Sequence, residues 1–238
     1  PTSDEIRIVK KIIKKSYSAF FGSFGTINNL QIHSIPLIYS GKNVIIHSPS
    51  ASGKTEAAVV PIAEKIVESK ESGLQIIYIA PTKALVNDIY RRLSQPLRKL
   101  NISLTFKTMD KPKINYKKSE NFLITTPESF DSLLCRHPDI FLGLKYIILD
   151  ELHLLDGSVR GDQLRILIER VIKITENKLQ YIALSATLFN PLKVAERYFE
   201  NPIVVEEEGT KPLNLNLFSD IEKSIDYMKK NHKNKALF

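Results

Sequence analysis

The sequence predicts an α/β fold with a doubly wound, mostly parallel sheet, and three observations carry that prediction. Short apolar runs of strand length recur along the chain, helical stripes separate several of them, and two polar motifs follow directly on two of the runs. Alternation of this kind buries a parallel sheet under helices on both faces. It also places the chemistry at the carboxyl ends of the strands.

The candidate strands, in order, are Val44–His47, Gln75–Ala80, Leu104–Lys107, Phe122–Thr125, Tyr146–Asp150, Tyr181–Ser185 and Ile203–Val205. Each is short and rich in β-branched or aromatic residues, as a strand buried on both faces should be. Val59, Ala63, Ile66 and Val67 form a helical stripe after the first strand. Leu164, Leu167, Ile168, Val171 and Ile172 form another after Gly161, at the i, i+3, i+4, i+7, i+8 spacing of one buried face. No internal repeat or low-complexity tract interrupts the pattern.

Bulk properties bound the function. The 238 residues are 43% hydrophobic and 25% charged, an ordinary globular composition. Lys and Arg outnumber Asp and Glu by 34 to 26, a formal charge of +8 that favours a polyanionic partner. The excess is uneven: from Arg91 to Lys118 there are nine basic residues against the single acid Asp110, and Lys10, Lys11, Lys14 and Lys15 form a second cluster. A single cysteine, Cys135, excludes an intrachain disulfide framework and offers no metal-ligand spacing. Its neighbours Leu133 and Leu134 place it on a buried helix position. The longest apolar runs are of strand length, so no membrane span is visible and no membrane partner is expected. No signal-peptide pattern opens the chain, and a cytoplasmic setting, or a nuclear one in a eukaryote, is the default.

Residues 48 to 55 read Ser-Pro-Ser-Ala-Ser-Gly-Lys-Thr directly after the run Val44-Ile45-Ile46. The phosphate-loop pattern G-x-x-x-x-G-K-[ST] is met except at its first position, where Ser48 replaces Gly. Such a loop and the following helix start cradle phosphates with backbone N–H groups. Lys54 then reaches the β- and γ-phosphates, and the Thr55 hydroxyl ligates Mg²⁺. A Ser/Gly-rich turn with a solvated lysine is the bland alternative; a strand before the loop and an amphipathic helix after it weigh against that. About a hundred residues on, Tyr146-Ile147-Ile148-Leu149 delivers Asp150-Glu151-Leu152-His153. One carboxylate at such a strand end can hold Mg²⁺ while its neighbour polarises a water. Two acids capping a turn are common in isolation, and the upstream phosphate loop tips the reading towards chemistry.

Five segments in this order resemble motifs I, Ia, Ib, II and III of superfamily 2 helicases. They are Ser48–Thr55, Ala80-Pro81-Thr82-Lys83-Ala84-Leu85, Thr125-Thr126-Pro127-Glu128-Ser129, Asp150–His153 and Ser185-Ala186-Thr187. The resemblance covers roughly residues 20 to 205 and implies the first of two RecA-like motor domains, a P-loop NTPase fold. Two stretches look most like the Lhr-like (large helicase-related) branch of the DExH group. One is Gly157-Ser158-Val159-Arg160-Gly161 with Gln163-Leu164, and the other is Leu184–Leu188 with Asn190-Pro191.

The resemblance then implies roles. Nucleotide binding falls to Gln31, Ser50, Ala51, Ser52, Gly53, Lys54, Thr55 and Glu56, with ATP and Mg²⁺ as cofactors and Thr55 and Asp150 on the metal. Glu151, Lys54, Asp150 and His153 would carry catalysis. Gln31, seven residues after Phe24, stands where the family reads adenine, and a carboxamide can donate and accept at once. Pro81, Thr82, Lys83, Thr126, Pro127, Glu128 and Arg160 would face single-stranded or partly duplex nucleic acid, with DNA favoured over RNA. Thr82 and Thr126 could equally be helix N-caps, and Arg160 a solvated residue at a helix start. His153 would couple the nucleotide site to Ser185, Ala186 and Thr187.

Several departures qualify the match. Ala51 replaces a usual Gly, which is tolerable only if its φ is not positive. Met109-Asp110 replaces a frequent Gly-Asp. Motifs IV to VI are absent, together with the arginines that reach the γ-phosphate. The reading divides the chain into residues 1–209, the first motor domain, and residues 210–238, a linker and the truncated start of a second RecA-like domain. A helix pattern at Ile221, Ile225 and Met228 lies in the latter part, and Ala236-Leu237-Phe238 reads as the first strand of a domain cut away. The expected function is an ATP-dependent helicase motor domain, weakly active or inactive alone. The alternative is a nucleic-acid-binding module with a regulatory or inactive nucleotide site.

Overall fold

A computed structural model of the chain describes residues 1–22, 26–109 and 120–207. Phe24, Asp110 and everything after Glu207, including the expected linker and second-domain start, lie outside the described residues.

Seven strands form one parallel sheet: β1 Val44–His47, β2 Ile76–Ile79, β3 Leu104–Lys107, β4 Phe122–Thr125, β5 Tyr146–Leu149, β6 Gln180–Ser185 and β7 Ile203–Glu206. Their spatial order is β3-β4-β2-β5-β6-β1-β7, and every pairing is parallel. All seven fall where the apolar runs are, with ends shifted by a residue or so. Among the described residues eight α-helices accompany them: α1 Ser3–Ile12, α2 Tyr17–Phe21, α3 Asn29–Tyr39, α4 Lys54–Ser69, α5 Lys83–Lys99, α6 Pro127–Arg136, α7 Val159–Ile172 and α8 Pro191–Ala195.

The strand period of two splits the core. Val44, Ile46, Ile76, Tyr78, Phe122, Ile124, Ile148, Ile182 and Leu184 face a layer that includes α3, α4 and α5. Ile45, Ile77, Ile79, Leu123, Ile147, Leu149, Tyr181 and Ala183 face a layer that includes α6, α7 and α8. Covered on both faces, the sheet leaves its carboxyl edge as the accessible working surface, and the loops after β1, β2, β4, β5 and β6 all emerge there.

Two sequence expectations fail in the helices. Ile172 ends α7 at 43% exposure and does not extend the buried stripe, whose other members are buried. Cys135 is exposed. Leu133 and Leu134 already occupy the inward face of α6, and at about 100° per residue the next position turns outward. Its thiol lies beside Asp131, and Arg170 of α7 donates to its sulfur at 3.5 Å.

Candidate nucleotide and nucleic-acid site

The loop between β1 and α4 wraps an open cleft. The cleft is lined by residues 50–55, Asp150 and Glu151, and by Leu85, Asp88, Ile89 and Arg92 of α5. Gly53 caps α4 with φ 87, and a Cβ there would stand 2.6 Å from Gln31 Nε2. The left-handed backbone favours glycine, and a side chain there would also displace the Gln31 amide. Ala51 also has positive φ, at 60. The requirement set by its side chain is therefore not met, and the loop carries strain of about 1–2 kcal/mol at that residue. Lys54 folds back across the loop, its Nζ donating to the carbonyls of Ser48 at 2.6 Å and Pro49 at 2.9 Å. Burial lowers its pKa, opposed by the charges of Glu151 and Asp150. The Ser48 and Ser52 hydroxyls are paired with each other, and Ser48 N–H donates to Ser185 O at 3.1 Å, which ties the loop to the end of β6.

Asp150 is buried directly after β5. Burial pushes its carboxyl up to about 6, and the neighbouring Glu151 charge adds to the rise. Contact with Tyr78, the Glu151 N–H and Lys54 pull the other way, without cancelling it. Glu151 has φ 45, an uncommon conformation for a non-glycine residue and one that clusters at functional sites. Its Oε2 is buried with no hydrogen-bond partner. His153 Nδ1 lies 3.4 Å from that oxygen and also contacts the Ser185 hydroxyl at 3.1 Å and the Ala186 N–H at 3.5 Å.

Thr55 and Asp150, both buried oxygen donors, fit a hard divalent cation. Among the described residues no group of three or more His, Cys, Asp or Glu could hold a metal by itself. Such a donor set suits a Mg²⁺ ion that keeps its remaining ligands from phosphates and water. Gln31 stands just behind Gly53 as a member of a capping box. Its Oε1 accepts Asn28 N–H at 3.1 Å, its own N–H donates to Asn28 Oδ1 at 2.9 Å, and Nε2 donates to Gly53 O at 3.4 Å. Glu56 also lies outside the cleft lining, where it accepts from Arg92 Nη2 at 2.8 Å.

Arg160 holds the segments after β2 and β4 together. Its Nε donates to Glu128 at 2.7 Å and its Nη2 to Pro81 O at 2.6 Å, so it bridges the loops after β4 and β2. It is neither free nor merely solvated. Gly161, next to it, allows a close backbone approach: a Cβ there would meet Leu155 O at 2.3 Å. Thr82 and Thr126 are N-caps, accepting from Leu85 N–H at 3.2 Å and Ser129 N–H at 3.4 Å. Thr82 and Lys83 are exposed, whereas Pro81, Thr126 and Pro127 are buried and can offer only their helix starts.

Sequence reasoning missed three contributors. Arg92 places a second cation in the cleft, 2.8 Å from Glu56 and 3.8 Å from Asp88, on a chain read as supplying no arginine there. His47, at the end of β1, accepts Leu188 N–H on Nε2 at 3.1 Å and has Nδ1 3.4 Å from Glu206. Tyr78 sits wholly buried behind the acids. Only the proximity of His47 to the phosphate loop was a usable signal.

Comparison with known proteins agrees with this geometry. The sequence profile of the DEAD/DEAH box helicase family matches residues 28–194. The ATP-dependent helicase Lhr-Core protein 2 of Thermococcus barophilus is 34% identical over 202 residues, 75% of this chain and 23% of that protein. The ATP-dependent helicase Lhr-Core of Sulfolobus acidocaldarius is 35% identical over 214 residues, 79% of this chain and 24% of that protein. The solved structure of Mycobacterium smegmatis helicase Lhr bound to ssDNA and AMP-PNP superposes with a TM-score of 0.74 at 25% identity, over 82% of this chain and 28% of that one. The chain thus spans about a quarter of the length of the curated relatives it matches. With the matched profile reaching from the cap of α3 to α8, this chain belongs to the DEAD/DEAH box helicase family.

Proposed function

We propose that residues 1–209 are the first motor domain of an ATP-dependent nucleic-acid helicase or translocase, and that residues 210–238 lead into a second RecA-like domain. One observation carries the reading: Lys54, Thr55, Asp150 and Glu151 meet in a single cleft at the carboxyl edge of the sheet. ATP enters with its phosphates against the amides of the loop and the start of α4. Lys54 exchanges the Ser48 and Pro49 carbonyls for phosphate oxygens. Thr55 and Asp150 would hold Mg²⁺, which would supply charge neutralisation at the phosphates and favour the ionised form of Asp150. The orphaned Glu151 Oε2 accepts a proton of the attacking water and orients it. The His153 link to Ser185 and Ala186 passes the state of that carboxylate to the strand end, where Thr187 follows. Gln31 reads adenine after its amide leaves Gly53.

Single-stranded nucleic acid, DNA favoured over RNA, lies across the starts of α5 and α6, which Arg160 holds in register. The ssDNA in the Mycobacterium relative supports that choice. Hydrolysis by residues 1–238 alone is expected to be slow. An arginine supplied across a domain interface is worth about 10³–10⁵ in rate in related phosphoryl transfers, and Arg92 is engaged with Glu56 and Asp88. Steady-state turnover tests this directly. Adding the second motor domain should raise the rate by a factor on the order of 10³, and Glu151→Gln should abolish it again. Fast, strand-stimulated turnover by residues 1–238 alone would overturn the two-domain reading. Binding of single strands should weaken steeply with salt, and salt-insensitive binding would remove nucleic acid from it.

A further inference from the structure

Tyr78 is the third residue of β2 and pairs with Ile148 of β5. Side chains alternate along a strand, so Tyr78, Ile148 and Asp150 share one face of the sheet, with Asp150 two residues beyond the pair towards the carboxyl edge. The ring is wholly buried and stacks on Phe122 at 6.4 Å. Its hydroxyl has no hydrogen-bond partner. Asp150 and Thr55 are its polar neighbours, and neither meets the geometry of a hydrogen bond to it. An unpaired buried hydroxyl is a cost that a core phenylalanine would avoid. The group therefore faces the two proposed metal ligands from behind, fixed by its own packing and with its donor unused.

We infer that Tyr78 is a positioning residue for the metal site: its hydroxyl donates to Asp150 when Mg²⁺ and nucleotide are bound, and so fixes the carboxylate that holds the ion. Asp150 Oδ1 already accepts Glu151 N–H at 2.9 Å, so Tyr78 adds a second donor and locks the rotation of the group. Outer-shell donors of this kind orient metal-ligating carboxylates. The inference rests on the nucleotide reading of the cleft and adds a residue to it that no motif contains.

Calorimetric titration of ADP, at graded Mg²⁺ and again in EDTA, tests it on wild type, Tyr78→Phe and Lys54→Ala. In Tyr78→Phe the Mg²⁺ needed for tight ADP binding should rise about 10–100-fold. Its metal-free ADP affinity should stay at the wild-type value. Thermal stability of the empty protein should change little, because the hydroxyl makes no geometric hydrogen bond there. Lys54→Ala should lose ADP with and without the metal. A Mg²⁺ dependence in Tyr78→Phe equal to wild type, or an equal loss of ADP with and without Mg²⁺, would overturn the inference and leave the nucleotide reading standing. A wild-type protein that binds no ADP under either condition would overturn both.

Discussion

Two buried carboxylates in this domain are treated in opposite ways. Glu64, 1% exposed on α4, is saturated: it accepts Lys15 N–H at 3.0 Å on both oxygens, Ser16 N–H at 2.7 Å and the Ser16 hydroxyl at 2.6 Å. Those bonds clip the turn between α1 and α2 to the phosphate-loop helix. Asp150 and Glu151 are left incomplete. The first is 6% exposed and accepts the N–H of its neighbour, and the second has a buried oxygen with no donor at all. A carboxylate that holds the fold together is finished by the chain. One that does chemistry keeps lone pairs open for a ligand, at a cost in stability. The contrast is testable because the two kinds of site should respond to mutation with opposite signs.

The largest effect should come from Glu64→Ala. It strands the buried Ser16 N–H and the part-buried Lys15 N–H and leaves the Ser16 hydroxyl only its 3.5 Å contact with Val60 O, and should destabilise the domain by about 3 kcal/mol. Urea denaturation measures this, and the folded fraction should still bind nucleotide. An unchanged urea midpoint would erase the distinction between the two sites.

Asp150→Asn should act in the reverse direction. The native carboxyl titrates at about 6 against 3.8 when unfolded, so between those values the native state holds its proton more tightly. Stability contributed by the protonated group is lost as pH rises through about 4 to 6, and the ionised group then costs up to about 3 kcal/mol at neutral pH. Removing the charge should stabilise the empty protein at pH 7, flatten that slope between wild type and variant, and abolish Mg²⁺-dependent nucleotide affinity. Equal stabilities across the range would show that the burial of Asp150 is not felt.

Smaller still is Glu151→Gln. The new amide lies 3.4 Å from His153 Nδ1, which Ser185 and Ala186 already contact, so stability should change by about 1 kcal/mol or less. Nucleotide binding should survive while turnover in the two-domain protein disappears. The least effect on stability should be that of Arg160→Ala, about 1 kcal/mol or less, because its pair with Glu128 is 40% and 37% exposed. Anisotropy with a labelled single strand should nonetheless report weaker binding, since the loops after β2 and β4 lose their bridge.

How much of this was legible in the sequence follows from range. The seven strands could be read because a parallel sheet buried on both faces writes each strand as a short apolar run. The motifs could be placed because such a sheet ends its strands on one edge. Lys54 and Asp150 followed from that placement, and the His153–Ser185 contact from the resemblance to superfamily 2 helicases. Other features depend on juxtapositions that no local pattern records. Tyr78 looks like any core aromatic until its register with Ile148 sets it behind Asp150. Arg92 looks like a surface residue of α5 until the cleft is formed. Ala51 gives no hint of its left-handed backbone, and Cys135 next to two buried leucines gives no hint that it faces out. Glu64 is the clearest case, because its partners lie 48 and 49 positions earlier.

The proposed nucleotide site rests on the open lone pairs and the folded-back Lys54. Calorimetric titration of Mg·ADP into wild type and Lys54→Ala tests it most directly. The account predicts saturable one-to-one binding in the wild type and none in the variant, with both proteins equally folded by circular dichroism. Equal affinity in the two would contradict it.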